Sequence, residues 1–271
     1  MQSNNPVFRR AEGFNGRGGT ATTYPGAGQS YDPYGSTLDS QGRMSIDSVV
    51  QKTGLTLGVV VVVAAITWVM TGDLATQADV SRLSGLTVAG ALVGFVLSMV
   101  NSFKRVVSPP LVLAYAAFQG LFLGAGSKLI EAAFLKPDEH GIVISAIGGT
   151  IAAVAGVLAA YKFFDIKVTQ RMRTFGIAAA MGFVAVTMLD FVLSFFGVAA
   201  GVNGFGTLGL IFTVIGLGLG VFFLLLDFDF VERGIATGLP ERESWRAAFG
   251  LTSTIVFIYW ELLRLLAILR N

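Results

Sequence analysis

Residues 207–231 read TLGLIFTVIGLGLGVFFLLLDFDFV, and the first 20 of them carry no charged side chain. A helix needs about 20 apolar residues to cross the hydrocarbon core of a bilayer. Six more stretches of similar length and composition occur on either side of this one, so the sequence predicts seven transmembrane helices. The predicted spans are about 50–71, 85–104, 109–131, 140–162, 174–197, 207–231 and 247–269.

The composition of the whole chain supports this fold class. Of the 271 residues, 54% are hydrophobic and 13% are charged, against about 25% charged in ordinary soluble proteins. A soluble domain would expose much of this apolar surface, so we expect an all-α polytopic membrane protein in contact with the lipid bilayer. The absence of Cys excludes disulfide and thiol chemistry. A net charge of +2, from basic residues scattered among loops, provides no nucleic-acid-binding surface.

Residues 1–47 differ from the rest of the chain. The run NGRGGTATTYPGAGQSYDPYGS (15–36) is rich in Gly, Ser, Thr, Tyr and Pro and has no apolar periodicity. Such a segment buries too little apolar surface to offset the entropy of ordering it. We therefore predict a disordered tail over 1–47 and a seven-helix transmembrane domain over 48–271.

The distribution of basic residues predicts the orientation. Fourteen of the 19 Lys and Arg residues fall in the tail, the entry to the first span, and the second, fourth and sixth loops, whereas three fall on the opposite side. Basic loops stay in the cytoplasm, so we expect a cytoplasmic N-terminus and an external C-terminus. No organelle-targeting motif is recognisable, and a bacterial cytoplasmic (inner) membrane is the simplest location.

Three pairs of glycines have the four-residue spacing that lets helix backbones approach each other closely. They are Gly90–Gly94, Gly120–Gly124 and Gly216–Gly220. We expect these pairs to form contacts inside one bundle rather than an oligomer interface.

Ionisable residues inside the predicted spans are the strongest functional signal, because each costs at least about 2.5–3.5 kcal/mol at a helix centre. Lys128 lies near the outer end of span three, where snorkelling to the interface would explain it. Asp190 lies in span five, either as a structural hydrogen bonder or as part of an ion path. Glu261 and Arg264 are three residues apart in span seven, so they can pair on one helix face.

Asp227 and Glu261 form the most specific combination. Two carboxyl groups brought together at low dielectric cannot both ionise easily, so such a pair shares a proton and senses pH. When deprotonated it offers the oxygen ligands that calcium prefers. With Glu232 and Arg246 as interface markers, however, Asp227 lies about 8 Å deep and Glu261 about 22 Å. Contact between them therefore requires span seven to begin after Arg246.

These two segments, LLLDFDFVE (224–232) and YWELLRLL (259–266), resemble the ends of spans six and seven in the Bax inhibitor (transmembrane Bax inhibitor motif) family, in its bacterial branch. The likeness extends over roughly residues 50–270 and includes FKRVVSPPLVLAYAAFQG (103–120). The resemblance implies a bundle of six helices around a central seventh.

The resemblance also implies a pH-sensitive calcium leak channel, gated by an acidic pair that falls here on Asp227 and Glu261. A basic residue at the end of span two, which engages the pair, falls on Lys104 or Arg105. In two respects the chain departs from the better-known members: the second acid is Glu rather than Asp, and the connection between the acids is longer. The tail is not a general feature of that family.

A second interpretation is a membrane interaction protein that restrains a membrane protease or a stress-response partner and conducts no ions. An intramembrane aspartyl protease is disfavoured because the sequence contains no Gly-x-Gly-Asp motif, and one histidine, His140, cannot form a His-Glu-x-x-His zinc site. A transporter would show matched helix interruptions in its two halves, and none stands out. We therefore expect no enzymatic activity and no cofactor.

Overall fold

A computed structural model describes residues 42–134, 141–164, 166–198 and 200–270. Within these ranges the chain forms seven α-helices and no strand beyond an isolated bridge between Arg43 and Pro240, which confirms the predicted all-α fold. All seven helices are long and apolar enough to cross a membrane. Most of the predicted tail (1–47), and His140, lie outside the described residues. The helices are α1 (Ile46–Met70), α2 (Gln77–Phe103), α3 (Pro109–Phe134), α4 (Ile142–Phe163), α5 (Gln170–Ser194), α6 (Thr207–Ala236) and α7 (Glu243–Arg270).

Several helices extend beyond the apolar stretches that predicted them, because capping residues set where they begin. The Ser45 side chain accepts a hydrogen bond from the Ser48 backbone and the Ser48 side chain accepts one from the Ser45 backbone, so α1 begins at Ile46 rather than near residue 50. Thr76 and Asp79 form the same reciprocal capping box at the start of α2, eight residues before the predicted span. Each box satisfies backbone N–H groups that a helix start leaves unpaired.

The turn between α6 and α7 is short and tightly defined. Gly238 adopts φ +68 after the end of α6, the Leu239 N–H donates to the Gly234 carbonyl, and the Gly238 N–H donates to the Ile235 carbonyl. This Schellman arrangement satisfies the last carbonyls of the helix and favours glycine at the left-handed position. Helix α7 can therefore start at Glu243, close to the end of α6.

Helix α7 is the central helix of the bundle. It packs directly against α1, α3, α4 and α6, whereas α2 packs on α3 and α5 packs on α6. Helix α5 reaches α7 through a side-chain contact, in which the ring centroids of Phe183 and Phe257 are 5.6 Å apart. The expected ring of six helices is thus four direct neighbours flanked by two outer helices.

The basic loops meet at one end of the bundle, called here the basic end and formed by residues 42–46, 104–108, 166–169 and 237–242. The Met44 N–H donates to the Leu239 carbonyl, and the guanidinium of Arg246 donates to the Arg105 carbonyl. Lys52 forms a 3.0 Å ion pair with Glu241. The basic links, which alternate with less basic ones along the chain, are therefore gathered at one end of the bundle.

The predicted glycine pairs pack inside the chain. A Cβ atom on Gly120 would lie 2.6 Å from the Val60 carbonyl oxygen, and one on Gly124 would lie 2.6 Å from the Ala64 carbonyl oxygen. Gly90 faces the backbone of Phe122 in the same way, at 2.7 Å. The backbones of α1 and α2 thus lie directly against α3, as the small-residue spacing predicts.

We expect Gly124→Ala to lower the free energy of unfolding by about 1–3 kcal/mol, because the added methyl meets backbone that cannot move aside. The matched control is Gly148→Ala in α4, where nothing lies within 4 Å of the new Cβ. The measurement is apparent Tm of the purified proteins in one detergent. A Tm for Gly124→Ala equal to that of Gly148→Ala would contradict the α1–α3 packing.

Candidate functional site

One face of α6 carries small residues where it meets α7. Gly209, Thr213, Gly216 and Gly220 follow one another at spacings of three and four residues and are buried. A Cβ on Gly216 would lie 2.9 Å from the carboxyl carbon of Glu261, and one on Gly220 would lie 2.7 Å from Ile258. The space left by these glycines is therefore occupied by large side chains of α7.

Asp227 lies further along the same helix, toward the basic end. One carboxylate oxygen accepts a 2.6 Å hydrogen bond from the Thr254 hydroxyl. The other carboxylate oxygen lies close to Gly250 of α7, 3.2 Å from the position that a Cβ atom on this glycine would take. The carboxyl group therefore packs against the α7 backbone. No basic side chain in the described part of the chain forms an ion pair with Asp227, and its charge has no compensating partner there.

Glu261 lies in the opposite half of the bundle and is 3% exposed. Its Oε2 atom is 4.0 Å from the Arg264 guanidinium, and the Thr213 hydroxyl lies beside its carboxyl group. Among the described residues, neither Oε2 nor the Thr213 hydroxyl completes a hydrogen bond of good geometry, and the same holds for Arg264 Nε. Three buried polar atoms thus share one small region between α6 and α7.

Arg264 is held mainly by backbone carbonyls rather than by Glu261. Its guanidinium donates to the carbonyls of Val202, Gly204 and Gly209, from the α5–α6 loop and the first turn of α6. At 4% exposure the side chain is enclosed within the bundle. The expected pairing with Glu261 is present at the long distance of 4.0 Å.

Asp190 organises the loop that holds Arg264. Its carboxylate accepts hydrogen bonds from the backbone N–H groups of Gly201 and Asn203, at 3.0 and 2.8 Å, and it interacts electrostatically with Arg264. The side-chain amide of Asn203 donates to the carbonyl of Thr187, which precedes Asp190 by about one helical turn. Of the two roles considered for Asp190, this geometry fits a structural hydrogen bonder.

The structure does not bring Asp227 and Glu261 together, so the predicted acidic pair is wrong as a contact. Asp227 meets α7 at Thr254, which precedes Glu261 by seven residues, or about 10 Å along the helix axis. The physical reason is the start of α7 at Glu243, before Arg246 rather than after it. The sequence condition for contact is therefore not met, and the two acids occupy separate sites.

The basic residues expected to engage the pair also lie elsewhere. Lys104 and Arg105 are exposed at the end of α2, and neither forms an ion pair with Asp227 or Glu261. Their backbone carbonyls instead accept hydrogen bonds from Arg246. Helix α2 packs on α3 and not on α6 or α7, which keeps these side chains away from both acids.

Lys128 extends from α3 to the end of α1, where protein oxygen atoms hold its ammonium group. Its ammonium group donates to the Trp68 carbonyl at 2.7 Å, to the Thr71 hydroxyl at 3.0 Å and to the Gly72 carbonyl. The two carbonyl groups lie at the C-terminal end of α1, where a cation is favoured by the helix dipole. Lys128 therefore joins α3 to α1 within the bundle.

Hydroxyl groups on α7 are the functional candidates that sequence reasoning missed. Thr252 bonds Thr56 of α1 at 2.6 Å, Thr254 bonds Asp227, and Tyr259 bonds Ser127 of α3 at 2.8 Å. Together with Glu261 and Arg264 they form a series of polar groups along the central helix, called here the α7 polar column (Thr252, Thr254, Tyr259, Glu261 and Arg264). The LTST run at 251–254 was the available signal, but hydroxyl residues within helices more often bond their own backbone.

Comparison with known families identifies the chain. The family model described as Bax inhibitor 1 like matches residues 5–271. The chain belongs to the Bax inhibitor 1-like family. The match confirms the resemblance seen in the sequence and extends further, because it includes most of the tail, which was expected to lie outside the family. A search of curated proteins found no match.

The chemistry available to this Bax inhibitor 1-like bundle follows from its two acidic sites. No group of three or more His, Cys, Asp or Glu side chains in the described residues could hold a metal ion. Asp227 and Glu261 contact different parts of α6 and α7, so they do not form one shared carboxylate pair. The Asp227 site offers such oxygens without a nearby cationic side chain, whereas the Glu261 site contains a fixed guanidinium.

We expect Arg264→Gln to lower the free energy of unfolding by about 3–5 kcal/mol, because it leaves loop carbonyls and the Glu261 carboxyl group unpartnered. The isosteric change Glu261→Gln is expected to cost about 1 kcal/mol, since Arg264 keeps its carbonyl acceptors. Apparent Tm in detergent measures both. Equal losses would show that the ion pair, rather than the loop contacts, holds Arg264.

Proposed function

We propose that the protein is a pH-sensitive cation leak channel that conducts calcium, with Asp227 and Glu261 acting as two separate titratable sites along the central helix. The observation that carries this proposal is the presence of two carboxyl groups at membrane depth, each packed against α7, in opposite halves of the bundle. Ionisable residues at this depth are typical of ion and proton pathways. Membership of the Bax inhibitor 1-like family supports the same class of function.

The Asp227 site is the inner cation site in this proposal. An ionised carboxylate without a basic partner is costly at low dielectric, so it takes up either a proton or a passing cation. The Thr254 hydroxyl provides a further oxygen atom beside the carboxylate, and oxygen ligands are those that calcium prefers. Competition between proton and cation for this carboxylate makes conduction depend on pH.

The Glu261 site acts as the outer barrier. The Arg264 guanidinium lies beside Glu261 and repels an entering cation, and the α5–α6 loop holds it in place through Val202 and Gly204. Protonation of Glu261 removes the nearest negative charge on α7 and alters the balance of forces on Arg264. A local charge change of this kind can bias a two-state element, here the position of Arg264 and the loop.

The basic end faces the cytoplasm in this proposal, and the membrane is the bacterial cytoplasmic membrane. The convergence of the basic loops at one end supports this orientation through the positive-inside rule. We also propose that the protein is not an enzyme, because its buried acids lie in separate sites and cannot act together on one substrate.

Calcium influx into liposomes tests the function. Purified protein is reconstituted into vesicles that contain a calcium-sensitive dye, and influx is followed at several pH values between 6 and 8. We expect protein-dependent influx that varies with pH. Asp227→Asn and Glu261→Gln are each expected to shift the pH midpoint of this influx or to abolish its pH dependence. Asp47→Asn, an exposed carboxyl group at the basic end, is the matched control and is expected to behave as wild type.

Influx no greater than in empty liposomes, from protein shown to be folded, would overturn the channel proposal. The interpretation as a membrane interaction protein without ion conduction would then take its place. Influx that is unchanged in both Asp227→Asn and Glu261→Gln would leave a channel but remove these two residues from its pH response.

Thr254→Val tests the inner site independently of its charge. The Thr254 hydroxyl stabilises the ionised form of Asp227 by hydrogen bonding, so its removal makes deprotonation require a higher pH. We expect the pH midpoint of influx to move upward, whichever sign the pH response has. Thr252→Val, which breaks the hydroxyl contact with Thr56 instead, serves as the control, and an equal shift in both variants would contradict the assignment.

A further inference from the structure

A groove at the basic end separates α1 from α4. These two helices do not pack directly against each other, and α6 forms the floor between them. The groove has a volume of about 820 Å3, and its apolar lining includes Val49, Val50, Leu158, Phe228 and Ile235. Val50 is 63% exposed and Leu158 is 50% exposed, so the walls open toward the surrounding lipid.

The rim of the groove is cationic. Lys162, Lys167 and Arg233 line it at the level of the helix ends. Lys162 is exposed in the last turn of α4, and no ion pair or hydrogen bond of its ammonium group occurs among the described residues. Arg233 is oriented by its bond to the Val168 carbonyl, 2.6 Å away. The rim thus presents basic groups at the depth of lipid headgroups.

The two carboxylates on the same lining are already engaged. Asp229 is bound by the guanidinium groups of both Arg173 and Arg233. Glu232 accepts a hydrogen bond from the Tyr161 hydroxyl. With Lys167 left aside, three basic groups among the described residues (Lys162, Arg173 and Arg233) face the two carboxylates, so the groove keeps one positive charge in excess, which an anion can neutralise.

We propose that this groove binds an anionic phospholipid, with its phosphate at Lys162 and Arg233 and an acyl chain along the apolar floor. The combination of an apolar channel open to the bilayer and a basic rim at one membrane surface matches both parts of such a lipid. Basic pockets between transmembrane helices are typical binding sites for anionic headgroups. A zwitterionic lipid fits the same channel, but the rim repels its terminal ammonium group.

Lipid binding to the purified full-length protein in detergent tests the proposal. Phosphatidylglycerol and phosphatidylcholine of equal chain length are titrated, and bound lipid is counted by native mass spectrometry. We expect at least about tenfold tighter binding of phosphatidylglycerol, or about 1.4 kcal/mol, and loss of that preference in Lys162→Gln/Lys167→Gln. Arg105→Gln/Arg171→Gln removes two exposed charges at the same end but outside the groove, and it is expected to keep the preference.

A shape variant separates the groove from general surface charge. Val50→Trp fills the channel without changing its charge, and we expect it to weaken phosphatidylglycerol binding about as much as the double lysine variant. Equal affinity for the two lipids, or an unchanged preference in Lys162→Gln/Lys167→Gln, would overturn the proposal. Displacement of the lipid by millimolar glycerol phosphate would also overturn it, because the site would then recognise a free phosphate group.

Discussion

The glycines on one face of α6 allow α7 to occupy the centre of the bundle. Gly209, Gly216 and Gly220 leave no side chains where the two helices meet, and Ile258, Glu261 and Arg264 of α7 fill the space. Any larger residue at these positions would collide with side chains or carbonyls within 3 Å. Lipid offers little hydrophobic force to hold helices together, so close backbone approach and internal hydrogen bonds do so instead. Glu261 and Arg264 are buried in part because this contact encloses them.

Polar groups that are enclosed in the bundle need hydrogen-bond partners. The two halves of the bundle supply different kinds of partner. Toward the basic end, hydroxyl–hydroxyl and hydroxyl–carboxyl contacts join α7 to α1 and α6, and Asp227 provides the carboxyl group in these contacts. In the other half, Arg264 binds loop carbonyls and Asp190 fixes the loop that carries them. The first half therefore contains an acid without a cation, and the second a cation held by backbone. This difference underlies the separate roles proposed for the two acids.

The asymmetry between the ends of the bundle also matters for its contact with lipid. Basic residues in the links between helices converge at one end, where some pair with acids and others remain exposed. Because α1 and α4 do not meet, that end combines an apolar channel with a basic rim. The proposed binding of an anionic headgroup is thus directed to one surface and one groove, whereas exposed apolar side chains that can contact lipid tails occur on most of the helices.

The sequence by itself determined the number of helices, their approximate ends, the asymmetry of basic charge and the glycine pairs that pack between helices. Each of these depends on local composition or on spacing within one helix. Only the tertiary structure decided which buried groups meet.

A helix advances about 1.5 Å per residue, so the capping boxes and the Gly238 turn, which set where helices begin, also set the depth of the polar side chains on those helices. The start of α7 at Glu243 placed Thr254, rather than Glu261, beside Asp227. Loop carbonyls such as that of Val202 became partners of Arg264 because the folded chain brought them there, and no residue pattern encodes a backbone carbonyl.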